Sequence, residues 1–229
     1  NSDDLSTPNG SVRLLHAGTI YYRDGDPLQV FPESVAMLDG RVVHWDDDAD
    51  VGFTNFEIVS AIGRDPYLAD FRKDVLAEAF SHVGLCGDDA RESVGTISEV
   101  YCSEFVRQIY IAAGVDPWLC GKGSCLRHVT YAPQLRRIFQ DEDQGTWVYA
   151  GDADELTPEP GDYLSLDDEG HSVLVVATSI DGRRLWRIGG NEDTGDCVRF
   201  SRLDFFSEAG VIDDRFYGFG GLRESFFIR

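Results

Sequence analysis

Apolar residues in the stretch YCSEFVRQIYIAAG, residues 101–114, recur at spacings of three and four: Cys102, Phe105, Val106, Ile109, Tyr110 and Ala113. That period predicts a helix with one buried face, stopped by Gly114. Glu104 falls in its first turn, where a negative charge suits the positive end of the helix dipole. A second helical pattern runs from Pro66 to Val83, with Leu68, Phe71, Val75, Leu76, Ala79 and Phe80 on one face and Gly84 as its stop. Residues 85–98 read as a polar loop, and Ala132 to Phe139 as a further short helix. Beyond these the pattern turns strand-like. Trp147–Tyr149, Asp162–Leu166, Ser172–Ser179 and Arg184–Ile188 are β-rich runs parted by Pro160–Gly161, Asp168–Gly170 and Asp181–Gly182. The first part of the chain is also extended, in Ser11–Leu15, Thr19–Tyr22 and Val35–Leu38, punctuated by Asp24–Gly25 and Asp39–Gly40. Asp39–Gly40, between VAML and RVVH, is a hairpin signal. Helices followed by an antiparallel sheet predict an α+β layering, with the sheet packed on the central helix.

The helical register decides where the chemistry falls. Cys102 lies on the first turn of the central helix, beside unpaired backbone N–H groups and the positive dipole end, both of which favour thiolate. A cysteine nucleophile needs a general base, and the base needs a group that holds its tautomer. His171 opens the strand HSVLVVATS directly after the turn DDEG, and Asn191 follows the strand LWRIGG. Antiparallel pairing of these strands would bring Asn191 back beside His171, with Gly189–Gly190 allowing close backbone approach. Each residue has an ordinary role too: a buried small thiol, a solvated histidine, a turn-forming asparagine. Their joint placement is what points to catalysis.

Charge narrows the partners. A formal net charge of −21 disfavours nucleic acid and anionic membrane surfaces. Only Lys73 and Lys122 are lysines. No apolar run is long enough to span a membrane. The acidic run Asp46, Asp47, Asp48 and Asp50 lacks the alternating ligands and distal Glu of a calcium loop and reads as a solvated turn. No CxxC pair suggests a structural zinc site. The cysteines are Cys86, Cys102, Cys120, Cys125 and Cys197, an odd count. One free nucleophile with Cys120–Cys125 and Cys86–Cys197 bridged suits an oxidising compartment; five reduced thiols in a cytosolic protein is the alternative. The polar start at Asn1 reads as that of a processed chain.

These residues carry a resemblance. YCSEFVRQIYIAAG resembles the nucleophile motif of the NlpC/P60 and CHAP families of papain-like cell-wall hydrolases, where a Cys-Ser or Cys-Thr pair opens a helix. ELTPEPGDYLSL resembles their Pro-Gly-Asp strand, and EGHSVLVV the strand that holds the base. IGGN is closer to CHAP, where the third residue is often Asn or Glu, than to NlpC/P60, where it is commonly His. The resemblance covers about residues 75–200. It implies a papain-like α+β domain over 66–229, with residues 1–65 a β-rich extension. It also implies Cys102 as nucleophile, His171 as base and acid, Asn191 as orienter, and Tyr101 and Ser103 as flanking substrate contacts. No metal or organic cofactor is required. The implied substrate is an amide bond of peptidoglycan, in the stem peptide or at the MurNAc–peptide linkage, met by a secreted or cell-envelope enzyme. A toxin-like effector, deamidase or acyltransferase on the same scaffold, or a non-catalytic binding module, are the alternatives. Many NlpC/P60 enzymes have Asp before the Cys, tied to recognition of a stem-peptide amine. Tyr101 stands there instead.

Overall fold

The computed structural model describes five short strands between residues 13 and 44, and residues 68–96, 101–141, 146–150, 158–166, 170–178, 184–192, 196–204 and 215–228. The acidic run from Asp46 to Asp50 and the turns at Asp24–Gly25, Asp39–Gly40 and Asp181–Gly182 lie outside the described residues. In the N-terminal part, β1 (Arg13–Leu14), β2 (Ile20–Tyr21) and β3 (Pro27–Leu28) form a small antiparallel sheet. Next, β4 (Val35–Leu38) pairs with β5 (Arg41–His44), Leu38 opposite Arg41, the register of a two-residue hairpin connection.

The rest is α+β. In chain order come α1 (Asp70–His82), α2 (Gly87–Ser93), α3 (Cys102–Ala112), the hairpin β6 (Cys120–Gly121) and β7 (Ser124–Cys125), and α4 (Ala132–Phe139). Strands β8 (Trp147–Tyr149), β9 (Tyr163–Leu166), β10 (His171–Thr178), β11 (Arg184–Glu192), β12 (Cys197–Asp204) and β13 (Phe216–Gly220) follow. These six form one antiparallel sheet in the order β12-β11-β10-β9-β13-β8. No described helix is long and apolar enough to cross a membrane.

The predicted face of α3 is the buried one. Phe105, Val106, Ile109 and Tyr110 share a core with Leu174, Val176, Trp186, Ile188, Val198 and Phe200 of the sheet. Burying each such side chain stabilises the fold by about 1.5–3 kcal/mol. The other face of the sheet is buried as well, through Leu164, Leu166, Val173, Val175, Leu185, Leu203, Phe216 and Phe219. Strands covered on both sides need apolar residues at consecutive positions, so β10 reads VLVV without alternation. Gly84 (φ 94°) and Gly114 (φ 98°) follow α1 and α3 in the left-handed conformation that ends helices.

Two parts of the sequence reading change. The stretch read as loop over 85–98 contains α2, whose sole buried residue is Ala90, so it offers no apolar period. Its start is held by the Cys86–Cys197 disulfide, and Arg91 bonds Asp88 at 2.7 Å and Asp196 at 3.1 Å. Strands β12 and β13 lacked a signal: CVRFSRLD is rich in polar residues, and two of the five residues in FYGFG are glycine. A second disulfide joins Cys120 to Cys125, and Cys102 is the free thiol.

The Pro160-Gly161-Asp162 segment works as a lock. Asp162 Oδ1 accepts from Arg72 Nη1 and from the Leu222 N–H, each at 2.8 Å, and Oδ2 accepts from the Glu159 N–H at 2.8 Å. Arg72 also donates to the carbonyls of Pro160 (2.6 Å) and Leu222 (2.9 Å). One buried ion pair therefore joins α1, the start of β9 and the C-terminal segment.

Candidate functional site

Two adjacent residue pairs bring the site together. Ser103 Oγ and Ser172 Oγ are hydrogen-bonded at 2.9 Å, which ties the first turn of α3 to the start of β10. Each serine follows a candidate catalytic residue in sequence, so the bond sets Cys102 beside His171. The His171 ring and the Ser172 backbone N–H are placed to stabilise a thiolate at this sulfur, with Ser103 Oγ 3.8 Å away. On the far side of the ring, His171 Nε2 lies 2.8 Å from Glu192 Oε1. That commitment of Nε2 leaves Nδ1 for the sulfur.

The group on His171 is thus Glu192, one residue beyond the expected Asn191, and the cause is a β-bulge. Along β10 and β11 Val173 faces Gly189, and continuing that register puts residue 191 across from 171. The strand does not continue regularly. Gly189 pairs with Arg199 but Glu192 with Cys197, so three steps on β11 oppose two on β12. Asn191, at φ 62°, absorbs the extra residue. The inserted residue moves Glu192 onto the face that Asn191 would have occupied, in step with Arg187. Arg187 then grips the carboxylate with both nitrogens, Nη1 to Oε1 at 2.5 Å and Nη2 to Oε2 at 3.2 Å.

Gly189 and Gly190 are there because both sides of the strand are full. A Cβ on Gly189 would run into Glu192 Oε1 and sit 2.8 Å from Val173 Cγ1. One on Gly190 would lie 2.8 Å from Phe105 Cβ and 2.9 Å from the Tyr101 ring. The first glycine makes room for the carboxylate, the second for α3.

All three titrating groups shift toward the charged form. Burial pushes the Cys102 thiol up, but the hydrogen bond and charge of His171 and the Ser172 N–H outweigh it, leaving the thiol below its ordinary value. Burial alone would lower His171; hydrogen bonds to Cys102 and Glu192 instead raise it to about 9. Burial likewise opposes the Glu192 charge, yet His171 and Arg187 hold its carboxyl below the usual range. The electrostatics therefore favour thiolate, imidazolium and carboxylate in a row, closed by a guanidinium.

Tyr101 and Ser103 are not surface groups. Tyr101 is 0% exposed and donates its hydroxyl to the Asp196 carbonyl at 2.6 Å. Ser103 is 1% exposed and spends its hydroxyl on Ser172. Both lie buried behind Cys102, with their hydroxyls on partners within the fold. The sequence reading missed Glu192 and Arg187. Their spacing of five breaks strand alternation, and the one hint was Gly-Gly-Asn ahead of Glu192 as a bulge former. Among the described residues no group of three or more His, Cys, Asp or Glu side chains could hold a metal ion. Comparison with protein-family models, with curated proteins and with solved structures gives no match to this chain.

Proposed function

We propose that the chain is a papain-like cysteine hydrolase that cleaves amide bonds by acyl transfer to water. Cys102 is the nucleophile, His171 the general base and acid, and Glu192, in place of Asn191, the residue that orients the imidazole. The supporting observation is the His171 Nε2 to Glu192 Oε1 contact at 2.8 Å, on a ring that the Ser103–Ser172 bond sets beside the free thiol of Cys102. A cysteine-headed helix lying on an antiparallel sheet that carries His171 and Glu192 supports the papain-like reading.

In the reaction Cys102 Sγ attacks the amide carbonyl and the C=O π electrons move onto oxygen. The backbone N–H groups at the start of α3 stabilise that oxyanion, each well-placed donor supplying about 3 kcal/mol. Collapse breaks the C–N bond as imidazolium His171 gives its proton to the leaving amine. Water, deprotonated by neutral His171, then adds to the thioester and releases acid and thiolate. Glu192 keeps the ring oriented throughout and balances its positive charge, while Arg187 fixes Glu192.

For the substrate, the motif resemblance supports peptidoglycan, at a stem-peptide bond or the MurNAc–peptide linkage. The two disulfides suit a secreted or cell-envelope enzyme. A second reading has an observation of its own. Tyr101, buried where NlpC/P60 enzymes carry Asp, offers no carboxylate to a stem-peptide amine, which favours a different acyl substrate for an effector, deamidase or acyltransferase. Purified peptidoglycan and its amidated peptides, incubated with the chain and with Cys102→Ala, separate these outcomes by mass spectrometry. Cleaved peptides made by the native chain alone support the cell-wall reading. Loss of ammonia or transfer to an added amine supports the second, and cleavage by Cys102→Ala overturns the nucleophile.

A further inference from the structure

The molecule carries 41 acidic residues, yet none falls between Asp116 and Asp141. The same stretch holds Lys122, Arg127, His128, Arg136 and Arg137. It folds as the disulfide-closed hairpin β6–β7, a short helical turn through His128, and α4. These pieces form one surface. A Cβ at Gly121 would lie 2.6 Å from the Ile138 carbonyl and 2.9 Å from that of Arg137, so the hairpin rests on the last turn of α4. At its base Leu126 N–H donates to Leu119 and Arg127 N–H to Pro117, each at 2.9 Å.

Three of the cations on this surface stand outside the ion pairs of the described residues. Lys122, Arg127, His128 and Arg137 are exposed. Among the described residues, the side chains of Lys122, Arg127 and Arg137 form no ion pair, whereas Arg72, Arg91, Arg107 and Arg187 each meet a carboxylate. The two flanking acids are occupied by backbone: Asp116 Oδ1 accepts from the Trp118 N–H at 2.8 Å and Asp141 Oδ2 from the Lys122 N–H at 3.0 Å. Aromatic surface gathers at the same place. Trp118 is 62% exposed and carries the Arg127 guanidinium 3.7 Å from its ring centroid. Tyr131 is exposed within the stretch, and exposed Tyr149 accepts a hydrogen bond from Gln140 Nε2 at 2.6 Å.

We infer that this face binds an anionic carbohydrate polymer, its sugar rings stacking on Trp118 and its acidic groups meeting Lys122, Arg127 and Arg137. Flat indole against the apolar face of a sugar ring, with cations at the margin, matches a polymer that is part apolar and part charged. A densely charged chain such as nucleic acid runs on past the patch, and the surrounding net charge of −21 repels it there. An acidic peptide brings the charge but no ring face for the indole. Screening over about 8–10 Å confines the attraction to the patch itself. The inference stands apart from the chemistry of Cys102, though a wall-bound hydrolase would gain from such an anchor.

The experiment uses the full chain, with polygalacturonate (carboxylate) and phosphomannan (phosphate) as probes and neutral mannan, poly-glutamate and single-stranded DNA beside them. Binding to at least one anionic glycan, about tenfold or more tighter than to mannan and weakening as salt rises, is expected. The triple variant Lys122→Glu/Arg127→Glu/Arg137→Glu loses it, and Trp118→Ala weakens it about tenfold, as loss of an aromatic stacking platform does. Lys122→Ala alone, at the exposed hairpin tip, gives a partial loss without risk to the fold, and unchanged melting and Cys102 alkylation verify each variant. Equal binding to mannan, undiminished binding by the triple variant, or tighter binding to poly-glutamate or DNA than to either glycan overturns the inference.

Discussion

Two buried arginine–carboxylate clamps, Arg72–Asp162 and Arg187–Glu192, use the same chemistry for different ends. At Asp162 the remaining acceptor capacity goes to the backbone N–H groups of Leu222 and Glu159. The carboxylate is saturated by groups that do not titrate, and the result is a fixed joint. At Glu192 the same oxygen that meets Arg187 also meets His171, so one of its partners can change charge. The difference lies in what surrounds the pair: backbone makes a lock, whereas an imidazole leaves one neighbour whose charge can change.

Substitutions test that distinction. Glu192→Gln, which keeps the side chain's shape, is expected to have the largest effect on turnover, up to about 10⁴-fold, as for an orienting carboxylate in a triad, with the melting temperature changed less than the turnover. Asp162→Ala is the mirror image: it takes from Arg72 its buried carboxylate, leaving the half-exposed Glu159 as the remaining partner, and costs about 3 kcal/mol of stability, read by chemical denaturation. If both variants fail chiefly by unfolding, the distinction is lost. Arg187→Met should reduce turnover by about tenfold, the size of one charged hydrogen bond, while leaving Glu192 in place. Ser172→Ala removes the tie between α3 and β10 and should cost about 1 kcal/mol, with a matching small loss of thiol reactivity.

The pH dependence sharpens the comparison further. Alkylation of Cys102 by iodoacetamide should rise with pH through a value below that of an ordinary thiol, because His171 and the Ser172 N–H stabilise the thiolate. Hydrolysis needs imidazolium to protonate the leaving group, so it should fall as pH passes about 9, where His171 loses its proton. In Glu192→Gln one of the two partners that raise His171 is gone, and the alkaline limb should move to lower pH. An unmoved limb would show that Glu192 does not act on the ring.

The sequence made α3 legible because its burial is one-sided, and periodicity reports burial. Gly84 and Gly114 marked helix ends for the same local reason. Both disulfides, Cys120–Cys125 and Cys86–Cys197, follow once Cys102 is set aside as the free thiol. The helix α2 was invisible, since a disulfide and ion pairs hold it where an apolar stripe would be expected. The side chain that meets His171 lies one position beyond the one strand alternation selects. Asn191 is the correct choice for an unbroken strand, and Glu192 is correct for a strand with an added residue. Bulges are set by how neighbouring strands and the helix share space, which no alternation of residues along β11 alone records.

The paired glycines of β11 have a consequence for any attempt to redesign this molecule. Because the polypeptide ribbon there is bare on both sides, the scaffold and the reactive centre press on opposite surfaces of the same few atoms. A single methyl added at residue 190 would be felt as misfit between layers, and one added at 189 as a displaced charge. Thickness itself, at one place along one strand, separates what keeps the molecule standing from what lets it react.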